Sequence, residues 1–555
     1  MSCRAGMSLL TSSILWLICG CVVCVATQSC ESRDSRNFEC RELSSLHVLT
    51  NLQDLSIENL QKLSVSNTQT ELSIGAINSA LNLSSLLILD LSHVARLELL
   101  SQGFSNLPNL QQLNISGCAL EELRVSYFAS NSALQQLDAS HNEFSALTKD
   151  TFNNLPNLVY ANFTHNSLTH VELPHMPLLQ QLRLGFNELA NFSLDDSPHL
   201  QQLILNDNQL SKLDATSFRG LPVLVELQLS GNYLSEIGKD TFQPLKQLRT
   251  LNLSRNALAA LQAQAFGSST VQQFALQQLD LSQNNIRLLF DNQFRMLGGL
   301  QTLDLSGNNI VSLSGVHFAG LRSLRKLYLQ SNDIIEIKRY TFEELEDLDT
   351  LDLSHNSIES LGEHVFGSKA LPRLRKLNLN TNNLKHLHAL AFSSLPFLEY
   401  LSLGNNELRH LDVRMFAPLQ RLQKLHVGHN ELTEISSDIL DSLNSITDLL
   451  IDNNKLTFLP NLNGTLQHLR RMAIEGNPWQ CTCFAQLEHW LLSRQVTYVR
   501  DGTGFYNGEK PLCVVTAFDS CVQNAQDERH QEVMDEFDQQ LNGKQLDEQS
   551  AEADV

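Results

Sequence analysis

The sequence predicts an α/β solenoid, in which short coils stack side by side and each adds one strand to a single parallel sheet. Three observations predict it. One leucine spacing recurs from Leu52 to Asn477, a phenylalanine recurs at a fixed distance from it, and the cysteines gather at the two ends. At 555 residues the chain exceeds the roughly 250–300 residues that one globular core accommodates, so several domains or a repeat array are required. The recurrence selects the array.

The unit is Leu-x-x-Leu-x-Leu-x-x-Asn-x-Leu, clear in Leu300, Leu303, Leu305, Asn308 and Ile310. Its asparagine position begins at Val94 and Cys118 and runs through Asn142, Asn166, Asn187, Asn208 and Asn232 to Asn454 and Asn477. Most steps are 24 residues, as in 332 − 308, and the shortest are 21, as in 187 − 166. Alternating residues of Leu-x-x-Leu-x-Leu form a short strand with one buried face. The asparagine can place its amide donor and acceptor on backbone groups that water does not reach. One or two degenerate coils precede Val94, around Leu52, Leu55 and Ile57 and around Leu60, Leu63 and Val65.

Ten residues after the asparagine position stands a phenylalanine, at Phe104, Phe128, Phe152, Phe218, Phe242, Phe266, Phe294, Phe318, Phe342, Phe366, Phe392 and Phe416, with Leu440 once in its place. It is expected to fill the outer side of each coil. The coils ending at Asn187 and Asn208 omit it.

This pattern and period resemble the extracellular class of leucine-rich-repeat proteins, over nearly the whole chain after residue 26. The resemblance implies a horseshoe with the parallel sheet on its concave side, and apolar end coils that must be covered. Cys30 and Cys40 are expected to pair in a small hairpin-like cap within residues 27–50. Beyond the array at 51–477, Asn477-Pro478-Trp479 leads into Cys481, Cys483, Trp490, Cys513 and Cys521, which resembles the C-terminal cysteine-rich cap of that class, over 478–521. In the family the first cysteine pairs with the third and the second with the fourth, implying Cys481–Cys513 and Cys483–Cys521. From the residues alone three pairings are open, and a zinc site is the competing use of four cysteines. Cys118 is left over, and its place at the asparagine position reads as a buried structural thiol.

Residues 1–26, with Arg4, an apolar run from Leu9 to Val25 and then Ala26, read as a secretory signal peptide rather than a membrane anchor. Secretion makes disulfides the default for the end clusters. No membrane insertion is expected. A net charge of −21 argues against a nucleic-acid partner held by overall charge.

Acceptor triplets place candidate glycosylation at Asn82, Asn114, Asn162, Asn191, Asn252 and Asn463. Asn114, Asn162 and Asn252 fall on outward strand positions of the early coils, so glycans there would screen the first half of the inner face. The candidate partner-binding residues therefore lie on later coils: Lys326, Tyr328, Lys376, Tyr400, Lys424, His426 and Arg471. Tyrosine and arginine favour interfaces, although any repeat array presents such columns to solvent. His141, His165, His355 and His429 share one column, but only the first two are on neighbouring coils, too few for a metal site. After Cys521 the chain is acidic, and residues 522–555 read as a disordered, solvating tail. Within it Val533, Phe537 and Leu541 recur at helical spacing.

No phosphate-binding loop, nucleophile elbow, zinc-histidine motif or kinase signature occurs, so neither catalysis nor a cofactor or metal is expected. The function expected is a secreted scaffold that binds a secreted or cell-surface protein. The alternative is a matrix component or a non-catalytic regulatory subunit of a secreted complex.

Overall fold

In the computed structural model the residues described are 29–34, 36–41, 60–69, 71–73, 83–99, 102–194, 197–266, 274–498, 506–507, 510–516, 520–523 and 531–540. The expected signal peptide at 1–26, the coil at Leu52 to Ile57, Asn82 and Leu541 lie outside them. The chain is a parallel-strand solenoid of about 17 turns.

Strand residues of successive coils pair in parallel with their leucines aligned, Leu303 to Leu327 to Leu351 to Leu377, and the described strands join into one 21-stranded sheet. Each strand is short, commonly three residues with the pattern out, in, out, as in Thr302–Asp304. A second row of two-residue parallel bridges runs along the flank where each coil leaves the asparagine turn, for example Ser312–Leu313 with Glu336–Ile337. The outer side is made of short helical turns such as Val125–Phe128, Lys149–Phe152 and Val413–Phe416. These are bulkier than strands about 4.8 Å apart, which places the sheet on the inner side of the curve.

The two sequence ladders take the places expected. Asn308 is 5% exposed; its Oδ1 accepts the Ile286 N–H at 2.9 Å, and its Nδ2 donates to the carbonyls of Leu281 and Leu305 at 2.9 and 3.0 Å. The phenylalanines are buried and stack coil on coil, Phe318 on Phe342 at 5.9 Å and Phe342 on Phe366 at 5.8 Å. The coils without one interrupt the stack. There Phe163 reaches in from the sheet side and meets Phe152 edge-on at 5.9 Å.

The residue before the asparagine has positive φ in coil after coil, including His141 (55°), His165 (56°), Asp207 (53°), Gly307 (63°) and His355 (53°). This left-handed corner explains the histidine column, because His, Asp and Asn tolerate that region better than other side chains. Their recurrence reflects backbone geometry.

At the front, Ser29–Asp34 pairs antiparallel with Asn37–Arg41, Cys30 lies opposite Cys40, and Cys40 is disulfide-bonded. Asn37–Arg41 then pairs in parallel with Lys62–Ser66, so the hairpin extends the main sheet over the first coil. At the back, the helix Cys481–Ser493 closes the array, held by Cys481–Cys513 and Cys483–Cys521. The implied pairing is present and the zinc alternative is not. Trp479 is fully buried, its Nε1 donating to the Ile474 carbonyl at 2.7 Å.

The tail departs from expectation. Residues 531–540 are helical, with Val533 and Phe537 buried against Val514 and Leu512 of the cap. A helix this short is marginal alone, but the cap supplies the apolar partner that reading the tail in isolation omits. Disorder over all of 522–555 does not hold there.

Candidate functional site

The sheet face presents two rows, one on each side of the buried central leucine. Lys326, Thr350, Lys376, Tyr400, Lys424, Asp448 and Arg471 follow one another in register along the first. Tyr328, Asp352, Asn378, Ser402 and His426 follow along the second. All seven candidate partner-binding residues thus belong to one continuous surface. Lys376, Tyr400 and Lys424 stand on adjacent strands, while Lys326 is separated from them by Thr350.

Their environments differ. Lys326, Lys376 and Lys424 are exposed, and Tyr328 and Tyr400 half-buried. Arg471 is exposed but faces Asp448 at 3.4 Å, which offsets part of its charge. His426 is packed among its neighbours with Nδ1 3.2 Å from Ser402 Oγ. Burial pushes its pKa down, against the opposing pull of Asp452. Ser402, His426 and Asp452 do not form a nucleophilic triad: Ser402 is 1% exposed, and Asp452 meets His429 at 3.3 Å instead. Tyr328 stands between Asp304 and Asp352 in its row. Burial raises the Asp304 carboxyl, opposed by hydrogen bonds from Ser306.

The early half of the face is different. Its first row reads Gln112, Gln136, Tyr160, Gln181 and Gln202, with Arg183 5.6 Å from the Tyr160 ring. Asn114, Asn162 and Asn252 stand in the second row, where other coils carry Asp138, Asp280, Asp304 and Asp352. All of them cap the same turn: Asn114 Oδ1 accepts the Ser116 N–H at 3.0 Å, as Asp304 Oδ1 accepts that of Ser306 at 2.9 Å. Asn162 is 8% exposed and its Nδ2, the atom a glycan would occupy, donates to Asp138 at 3.0 Å. The repeated Asp/Asn-x-Ser/Thr was the sequence signal for this turn. Asn191 and Asn463 are exposed.

Sequence reasoning also missed what the corner residues do to one another. His141 stacks on His165 at 4.3 Å, and His165 on Phe186 at 4.2 Å. Burial and the neighbouring His141 both lower the His165 pKa. Farther on, Arg255 reaches Asp207 at 3.1 Å across Gly231, where a Cβ would lie 2.2 Å from the Asp207 carboxylate. Cys118 is buried, its Sγ donating to the Leu91 carbonyl at 3.0 Å, and burial pushes the thiol up to about 11. That is an inert packing group. Among the described residues no group of three or more His, Cys, Asp or Glu is placed to hold a metal, and no helix is long and apolar enough to cross a membrane.

The family model described as leucine rich repeat matches residues 132–189, 198–258, 274–334, 327–370 and 372–432. The chain belongs to the leucine-rich-repeat family. It is a repeat scaffold of the kind that serves protein interaction. Among solved structures it is similar to a leucine-rich-repeat protein of Leptospira interrogans, at 26% identity over 71% of this chain and 96% of that one, with a TM-score of 0.57. A chain of a Drosophila Toll–Spatzle complex matches at 17% identity over 87% of this chain and 70% of its own, TM-score 0.60, a likeness of fold alone. A TLR13–ssRNA13 complex aligns at 22% identity over 80% of this chain and 85% of its own, but its TM-score of 0.41 is too low to bear on a ligand. No curated protein sequence matches the chain significantly.

Proposed function

We propose that this leucine-rich-repeat protein is a secreted, non-catalytic binding scaffold that holds a secreted or cell-surface protein on the later half of its sheet face. The observation that carries this reading is the in-register row Lys326, Lys376, Tyr400, Lys424 and Arg471, beside Tyr328 and His426. Three exposed lysines and half-buried tyrosines on a rigid sheet suit an acidic protein surface with apolar anchors. A tyrosine there loses little entropy on binding, because its ring is already packed at the base. The disulfide-held cap supports an oxidising, extracellular setting. Glycans are assigned to the exposed Asn191 and Asn463 before Asn162, whose Nδ2 is already given to Asp138.

The test is recovery of tagged protein from conditioned medium, with identification of what co-purifies. Replacing Tyr328 and Tyr400 together by alanine is expected to weaken capture of that partner at least tenfold, about 1.4 kcal/mol, with secretion yield unchanged. Undiminished capture by the double variant would move the site off this face.

A further inference from the structure

We propose a second docking surface, on the flank of the last coils, for an acidic amphipathic helix, and that the chain's own helix at 531–540 occupies it in the free protein. This inference does not rest on the sheet-face reading. Val533 and Phe537, four residues apart on one helical face, are buried against Val514 and Leu512 of the cap. On the adjoining face Gln531, Met534 and Asp538 line an open cleft of about 470 Å³ whose far wall is Arg409, His410, Glu431, Thr433 and Lys455. The helix therefore bridges the cap and the array.

The charges match. Residues 531–540 contain Glu532, Asp535, Glu536 and Asp538 and no lysine or arginine. Across the cleft, Arg409 and Lys455 share one carboxylate, Glu431, at 2.9 and 3.5 Å, which leaves net positive charge facing Asp538. The occupant thus states the recognition rule of its site: two apolar anchors at i and i+4 with an acid beside the second.

The occupant is also replaceable. Two anchors and ten residues of helix give little to offset ordering a short helix, so the contact depends on tethering through the chain after Gln523. A second hollow of about 590 Å³ shares Arg409 and His410 and extends along the flank to Lys385 and His386, with Glu407 and Asp412 also in its wall and Leu387, Leu411 and Met415 as its apolar lining. The helix at 531–540 does not line it. A longer partner helix with the same pattern, using that hollow as well, would displace the resident segment.

The probe is a fluorescent synthetic peptide of residues 529–542 added to the full chain. With its own anchor removed, the Phe537→Ala chain is expected to bind the peptide at least tenfold more tightly than the unaltered chain does. Peptides carrying Phe537→Ala or Asp538→Lys should bind that variant at least tenfold more weakly, and Arg409→Glu in the variant chain should abolish the gain. Val533→Asp is the second release variant should Phe537→Ala secrete poorly, and amide exchange over 531–540 should quicken in either. Equal affinity for released and unaltered chains, no binding to a released chain, or indifference to the peptide substitutions would each overturn the proposal.

Discussion

The early and late halves of the sheet face share one backbone and display different chemistry. Beneath both lie the same buried leucines, Leu137, Leu182 and Leu203 in one half and Leu327, Leu377 and Leu425 in the other, tied by the same asparagine bonds. Above them the first row changes from glutamines at 112, 136, 181 and 202 to lysines at 326, 376 and 424. Folding constrains the inward residue of each strand and, in many coils, the turn-capping Asp or Asn of the second row, and leaves the first row free. Recognition is therefore written chiefly in the residues on which the fold makes no demand.

The comparison breaks if the two halves differ underneath. Phe128→Ala and Phe318→Ala should each destabilise the array by about 3–5 kcal/mol, since both rings are fully enclosed. Chemical denaturation of each variant checks this, and a loss confined to one half would show that the spine is not uniform. Next in size, Asn308→Ala leaves the buried Ile286 N–H without its acceptor, while the Leu281 carbonyl keeps its bond from Asn284 Nδ2, and should cost roughly 1–3 kcal/mol by the same measurement.

The surface difference is sharpened by charge reversal. Lys376→Glu with Lys424→Glu is expected to reduce partner capture at least tenfold, while Gln181→Glu with Gln202→Glu leaves it unchanged. The lysine pair should keep the unfolding free energy within about 0.5 kcal/mol, as exposed substitutions usually do. The half-buried Gln202, whose Nε2 donates to Glu226 at 2.7 Å, sets two carboxylates together when changed to Glu and should lose some stability. The smallest effect is a pH dependence. His317 and His426 both have pKa values depressed by burial, Asp291 and Asp452 opposing and Lys338 and His429 assisting. The unfolded chain then takes up protons before the native one, so stability falls as pH drops below about 6.5 and is unaffected above it. Melting between pH 7.5 and 5 should show that fall, and His426→Gln should narrow it.

The fold was legible because its demands repeat: a leucine, an asparagine and a phenylalanine each return at one place in the coil. The C-terminal pairing was legible only through resemblance, since three connectivities satisfy the residues equally. Three features escaped for physical reasons. The turn-capping role of Asn162 hid behind a triplet that also spells a glycosylation acceptor, and only its bonds to Thr164 and Asp138 separate the two. The left-handed corner was visible as a histidine column but its cause is a backbone angle. The tail helix was misjudged because its stabilising contact, Phe537 near Val514, joins residues that no local pattern relates.

The asparagine ladder also has a direction. Asn308 accepts a hydrogen bond from the Ile286 N–H and donates one to the Leu281 carbonyl, both on the coil made before it, and Asn430 does the same with Leu408 and Leu403. Each new coil emerging from the ribosome therefore carries the group that completes its predecessor, so every coil waits only for the one that follows it, and the last is closed by the cap instead. Such a chain is suited to being laid down turn by turn, like rope onto a drum, with the disulfides at the far end as the final hitch.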